Sequence, residues 1–220
     1  MLRLPRRAVG LGVLSLGFYR FASAASAASA DAPAVATLPL SLAVAVEGGE
    51  PVQDAAWLDG QMAEVERLLG ASGVRFRRGT VRPLRVSSAR LETAADRDDL
   101  APFCEERAVN VFVVASLRDV DDGVSVRRGV HWRCRRHPAT RYVIVSSIAG
   151  PSVLAHELGH YLGLGHSPVR DNLMSYQRSG APVFLDAAQA RAIRSSARAV
   201  VASGEVSAAV VGPERAASPQ

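Results

Sequence analysis

The sequence predicts an α+β fold, a twisted mixed β-sheet backed by two helices and followed by a mostly helical C-terminal third. Three observations predict it. Apolar runs at residues 40–46, 108–115 and 142–146 read as strands, and apolar residues recur at helical spacing after Asp54 and Asp186. The order of these segments, β, α, several β, α, α, lets both helices cover one sheet.

Taken in order, Leu40, Leu42, Val44 and Val46 fall on one side of the first strand and Ser41, Ala43 and Ala45 on the other, the pattern of a half-buried strand. Gly48-Gly49 ends it. Asp54 is a fitting N-cap for a helix carrying Leu58, Met62, Val65 and Leu69 as far as Gly70 and Gly73. Residues 74–86 are β-like but broken by Gly79 and Pro83, and 130–133 reads as a short edge strand beside the strong strands AVNVFVVA and YVIVS. From Ser152 the pattern is helical up to Gly163 and Gly165. A last helix starts at Asp186, where Gln189 three residues on completes a capping box, and lines up Ile193, Ala197 and Val200. No internal repeat is visible.

A chain of 220 residues with 48% hydrophobic content suits one domain with a real core. Residues 1–30 read as an export signal: Arg3, Arg6 and Arg7, then an apolar stretch from Ala8 to Tyr19, then Ala-Ser-Ala ending at Ala24, Ala27 and Ala30. Arg6-Arg7 leaves the twin-arginine route open beside the general one. The expected organisation is a signal at 1–30, a folded domain at 31–203 and a flexible tail at 204–220. The apolar stretch is well short of the roughly 20 residues a spanning helix needs, so no stable membrane insertion is expected.

Every basic residue is an arginine, 26 against 21 acidic residues. Without the four arginines of residues 1–30, 22 remain against 21, and the net charge falls to +1. Nucleic acid is therefore not an expected partner. Cys104 and Cys134 in an exported chain suggest a disulfide, which would stabilise by about 3–4 kcal/mol in the chain-entropy model.

Three of the five histidines lie within HELGHYLGLGH, residues 156–166. On a helix His156 and His160 sit about 40° apart and one turn along, facing the same way. A straight helix would carry His166 about 9 Å further and about 120° round, out of reach of a shared ion. Gly163 between them can take the left-handed conformation that ends a helix, so the spacing makes sense as helix, sharp turn and return to one metal. Three protein ligands leave a position open for water, as catalytic rather than structural zinc sites do. Glu157 projects about 100° from His156, where a general base can reach water at the metal without binding it. Composition alone would produce the five fixed positions in roughly one chain in 100,000.

These residues resemble the metzincin clan of zinc endopeptidases, with the signature H-E-x-x-H-x-x-G-x-x-H followed by a methionine-containing turn. The turn corresponds to NLMSY, Asn172 to Tyr176, and the short link from His166 is most similar to the matrixin group. The resemblance covers residues 152–176. It implies a metzincin-like catalytic domain over 31–203, with a zinc helix, a Met-turn and a C-terminal helix. It also implies one catalytic Zn2+ on His156, His160 and His166, Glu157 as base and acid, and Met174 as an apolar floor. Met174-Ser175-Tyr176 departs from matrixins, which usually have Tyr-Pro after the methionine. The departure is similar to astacins and serralysins, in which such a tyrosine ligates the metal or stabilises the oxyanion, and implies that role for Tyr176. Residues 31–38 are too few for a matrixin prodomain with a blocking cysteine.

Outside the motif, His131 and His137 read as surface residues. Asp119, Asp121, Asp122 and Gly123 hint at calcium, but their spacing misses the EF-hand pattern and favours a plain turn. The arginines at 127, 128, 133, 135, 136 and 141 form a basic run. In a metzincin-like fold this run would line the upper rim of the cleft and favour acidic substrate residues. The expected function is a secreted or periplasmic zinc metalloendopeptidase acting on protein or peptide substrates, with a monomer favoured. The alternatives are a catalytically silent, metal-bound binding module and a hydrolase of a non-peptide amide. Retention of Glu157, which metal affinity does not require, argues against the silent module.

Overall fold

The computed structural model describes residues 36–207; the expected signal at 1–30 lies outside them, as does the tail beyond residue 207. Strand β1 (Ala36–Glu47) and the short β2 (Glu50–Pro51) lead into helix α1 (Ala55–Leu68), with Asp54 accepting a hydrogen bond from the Trp57 N–H at 2.8 Å. The chain continues through β3 (Val74–Arg78), β4 (Arg82–Leu84), β5 (Arg90–Leu91), α2 (Ala94–Asp98), β6 (Val109–Val114) and β7 (Ser116–Leu117). It closes with β8 (Gly129–Arg133), β9 (Arg141–Ser146), α3 (Val153–Tyr161) and α4 (Ala187–Ala202).

The main sheet runs β2-β1-β6-β9-β8, with β3 and β4 also paired to β1. The β1, β3, β4, β6 and β9 pairings are parallel, while the edge strand β8 is antiparallel to β9, from Gly129 opposite Val145 to Arg133 opposite Arg141. This is the mixed α+β sheet the sequence predicts.

The sheet is covered on both faces. Leu38, Leu40, Leu42, Val111, Val143 and Val145 pack under α1, α3 and α4. On the other face Ala43, Ala45, Phe112, Val114, Tyr142 and Ile144 pack with Leu84, Leu100, Leu117 and Trp132. The first strand is therefore longer than residues 40–46 and buried on both sides, and Val46, expected inside, is exposed. The short β2, β5, β7 and α2 were not anticipated. Three helices, rather than two, back the sheet face that carries the larger core. The described chain also stays ordered past residue 203: Val206 is fully buried and the Ser207 N–H bonds the Arg107 carbonyl at 2.8 Å.

Cys104 and Cys134 are free thiols rather than the expected disulfide. Cys134 lies in the second core cluster with Cys104 packed against it, and burial pushes the Cys104 thiol up to about 12.

One buried carboxylate organises that face. Asp98 accepts from the Trp132 indole at 2.8 Å and from the backbone N–H groups of Arg135 at 3.0 Å and Arg136 at 3.3 Å. Burial alone would raise its pKa, but these donors outweigh it and hold the carboxyl below its ordinary range. A depressed folded-state value means stabilisation that is present above about pH 4 and lost as pH falls through the folded value. Replacing Asp98 by Ala is expected to cost about 1–3 kcal/mol in urea unfolding at pH 7, by stranding buried donors. The difference from wild type should shrink toward pH 3.

Candidate metal centre

Helix α3 carries His156, Glu157 and His160, and the structure shows how it ends. The Gly163 N–H bonds the His160 carbonyl at 2.9 Å and the Leu164 N–H bonds the Gly159 carbonyl at 2.9 Å, with Gly163 at φ +87°. This pair of bonds around a left-handed residue is a Schellman turn. It reverses the chain within three residues and returns His166 to the helix.

The three rings then meet. His160 Nε2 lies 3.1 Å from His156 Nε2 and 3.1 Å from His166 Nε2. The His156 Nδ1–H donates to the Leu173 carbonyl and the His160 Nδ1–H to the Leu164 carbonyl, each at 2.7 Å. A carbonyl only accepts, so both rings carry their proton on Nδ1 and turn an Nε2 lone pair inward. Burial pushes the His156 pKa down to about 4 and lowers that of His160, which keeps the rings neutral. Lone pairs facing one another at this distance call for a cation between them. Nitrogens bound tetrahedrally to zinc at about 2.0–2.1 Å stand about 3.3 Å apart, close to the spacing seen. Among the described residues these three form the one group able to hold a metal.

Met174 is fully buried beneath the helix, so close that a Cβ on Gly159 would fall 2.7 Å from its sulfur. Its turn is held by Asn172, whose Oδ1 accepts from the Met174 N–H at 2.9 Å and whose side-chain amide exchanges hydrogen bonds with Gln189 at 2.7 and 3.0 Å. Gln189 therefore both caps α4 and fixes the turn. Only the first of these roles is visible as a sequence pattern. Tyr176 is 71% exposed and brings its hydroxyl 2.8 Å from His166 Nε2.

Glu157 is 6% exposed and borders the same cleft. Burial pushes its carboxyl up to about 7, against the pull of the His131 backbone N–H and the Arg127 charge. A cation at the three histidines would lower it further. Space for this side chain depends on Gly129, where a Cβ would sit 2.8 Å from Glu157 Cγ and from Val153 Cγ1.

Other sequence expectations are redistributed. His131 is no surface residue: it is half-buried in the cleft wall, edge-on to Tyr161 at 5.7 Å, with Nε2 unpartnered. It is not one of the three grouped side chains able to hold a metal; His137 is exposed. The 119–123 segment is a turn, in which Asp119 accepts from the Asp121 N–H and pairs with Arg127, and Asp122 accepts from Val124 and Ser125. Calcium has no support there. The arginine run is not one face either. Arg136 pairs with Asp99 and Arg141 with Glu205, Arg133 bonds the Pro138 carbonyl and Arg135 lies over the Trp132 ring, which leaves Arg127 and Arg128 on the cleft.

The left-handed turn gives a direct prediction. Gly163→Ala meets no close atom, since Ser196 Oγ is 3.9 Å from the added Cβ, so its cost is conformational. Stability should fall by about 1–2 kcal/mol in chemical unfolding, and zinc affinity measured by competition with a chelating dye should fall with it.

Comparison with known proteins agrees with this geometry. Residues 120–195 match the family model described as Matrixin. Metalloproteinase-II from Bacteroides fragilis is 17% identical with a TM-score of 0.52; the match covers 76% of this chain and 55% of that one, so the chain spans about half of its length. Mature mirolysin from Tannerella forsythia, solved with a cleaved peptide, is 11% identical with a TM-score of 0.56, over 77% of this chain and 98% of that one. No curated protein sequence matches significantly. The chain thus has the α+β fold of metzincin-type proteases and, across its metal-site segment, the sequence pattern of a matrixin.

Proposed function

We propose that the protein is a secreted or periplasmic zinc-dependent metalloendopeptidase. The observation that carries this reading is the convergence of the Nε2 atoms of His156, His160 and His166 beside a buried carboxylate that bonds none of them. His156, His160 and His166 would hold the ion, which supplies a Lewis acid for the scissile carbonyl and brings the pKa of water toward about 7.

The chain's own residues do the rest. Arg128 and Cys134 bond across to β9, through Ser146 N–H to Arg128 O at 2.9 Å and Cys134 N–H to Thr140 O at 3.0 Å. By the alternation of an antiparallel pair, the main-chain groups of Gly129, His131 and Arg133 turn to the free edge, where the His131 N–H reaches Glu157 and the remaining groups are open to a peptide. An extended peptide aligns antiparallel to that edge, which sets its carbonyl over the histidines. Glu157 takes a proton from the attacking water and passes it to the leaving amine, and its buried setting suits a group that must carry the proton in both directions. Tyr176, with its hydroxyl beside His166, donates to the oxygen on which negative charge develops. The N-terminal segment with its Ala-Ser-Ala repeats supports export. No helix among the described residues is long and apolar enough to cross a membrane.

Casein digestion tests the reading. Glu157→Ala should lower kcat by about 10²–10⁴-fold while zinc content stays at one per chain; inactivity of both proteins would favour a silent binding module. Gly129→Ala should displace the Glu157 carboxylate without touching a ligand. Its kcat should fall about 10–100-fold, with zinc content unchanged.

A further inference from the structure

A second cavity of about 680 Å³ opens from Glu157 and Tyr176 along the start of β8. That is within the size range of ligand pockets, about 300–1,000 Å³. Its walls are apolar where Val126, Pro151, Val153, Ala181 and Val183 contribute. A peptide aligned antiparallel to β8 runs its C-terminal half toward the N-terminal end of that strand. The cavity therefore receives the side chain that follows the scissile bond.

Charge on this wall is not balanced: among the described residues Arg128 also lines it without an ion pair, but it is exposed and no hydrogen bond holds its guanidinium in place. Arg127 is neutralised by Asp119 at 2.7 Å and Asp121 at 3.7 Å. Arg178 differs: its guanidinium donates only to main-chain carbonyls, those of Asn172 at 3.0 Å and of Gln177 and Leu173 at 3.3 Å. Among the described residues no carboxylate lies within ion-pair distance of it, and the nearby Asp171 is occupied by the Ser179 N–H and hydroxyl. These bonds fix the planar fork and leave its Nε–H and one Nη2 hydrogen without a partner. A fixed guanidinium with two open donors is matched to a carboxylate.

We infer that Arg178 is a specificity-determining residue, and that this pocket selects an acidic side chain, glutamate above all, directly after the scissile bond. The apolar wall takes the methylene stem and Arg178 takes the carboxylate. This rests on the protease reading above. It narrows the acidic preference expected from the arginine run, because four of those six side chains lie away from the cleft, and it assigns the preference to a residue outside that run.

Two measurements test it. The first is a cleavage profile of the zinc-loaded wild-type protein on a peptide library. The second is equilibrium binding of matched peptides, with Glu, Gln or Leu after the scissile position, to the zinc-loaded Glu157→Ala variant, which holds substrate without turning it over. Glutamate should be enriched in the profile, and the Glu peptide should bind about tenfold more tightly than the Gln peptide. That ratio should shrink between 50 mM and 1 M salt, as for any charge near the surface. Adding Arg178→Gln should bring the ratio close to one while leaving the Leu peptide unaffected. The salt series reads the same charge without any change at position 178, should the variant fold poorly. Cleavage with leucine or phenylalanine enriched and no gain from glutamate overturns the inference and leaves the protease reading standing. No cleavage of any library member overturns both.

Discussion

Everything at the candidate metal centre depends on one backbone reversal. Helix α3 presents two imidazoles one turn apart, which is a property of any helix with histidines at i and i+4. The third joins them because the helix stops at Tyr161 and Gly163 takes up φ +87°, with the last free carbonyls of Gly159 and His160 satisfied by the turn itself. A residue with a Cβ would resist that conformation, and a continued helix would carry His166 away. The same turn presents the Leu164 carbonyl that fixes the tautomer of His160. The position of His166 and the tautomer of His160 thus follow from a single structural element, while the tautomer of His156 is set by the Leu173 carbonyl.

The reversal holds because both ends of α3 are tied to the rest of the domain. At its start, buried Gln61 donates to the Gly150 carbonyl at 2.9 Å and accepts from the Leu154 N–H at 3.2 Å, joining α1 to the entry of the helix. At its end, Arg141 grips Glu205 through two nitrogens, bonds the Tyr161 carbonyl at 2.9 Å and lies over the Tyr161 ring, whose hydroxyl also reaches Glu205. Beneath it, Met174 fills the space left by Gly159, and the Asn172–Gln189 pair locks the turn to α4. The helix therefore sits in a frame of fixed contacts, which is what a site with little tolerance for displacement requires.

Much of this was legible in the sequence, and the reason is locality. The spacing of HELGHYLGLGH, the Asp54 cap and the Asp186–Gln189 box each encode their geometry within a few residues. What could not be read depends on distant pairing. Strands of two residues such as β2, β5 and β7 exist only because a partner lies alongside, and α2 is a five-residue helix whose Thr93–Asp96 capping box is its one local mark. The alternation at 40–46 suggested a solvent-facing side because alanine and serine are small, not because that side is wet. The arginine run looked uniform, but a strand sends alternate residues to opposite faces, and Asp99 and Glu205 lie far off in sequence. Nothing around Arg178 marks it out. Its position depends on the bonds its guanidinium makes to the Asn172 and Leu173 carbonyls.

The central claim is that three Nε2 atoms share one ion, and zinc K-edge X-ray absorption on the purified, zinc-loaded protein addresses it directly. Three imidazole nitrogens at about 2.0–2.1 Å, together with a lighter oxygen shell, is the predicted result. A spectrum requiring only two imidazoles, with His166→Ala leaving it unchanged, would contradict the account.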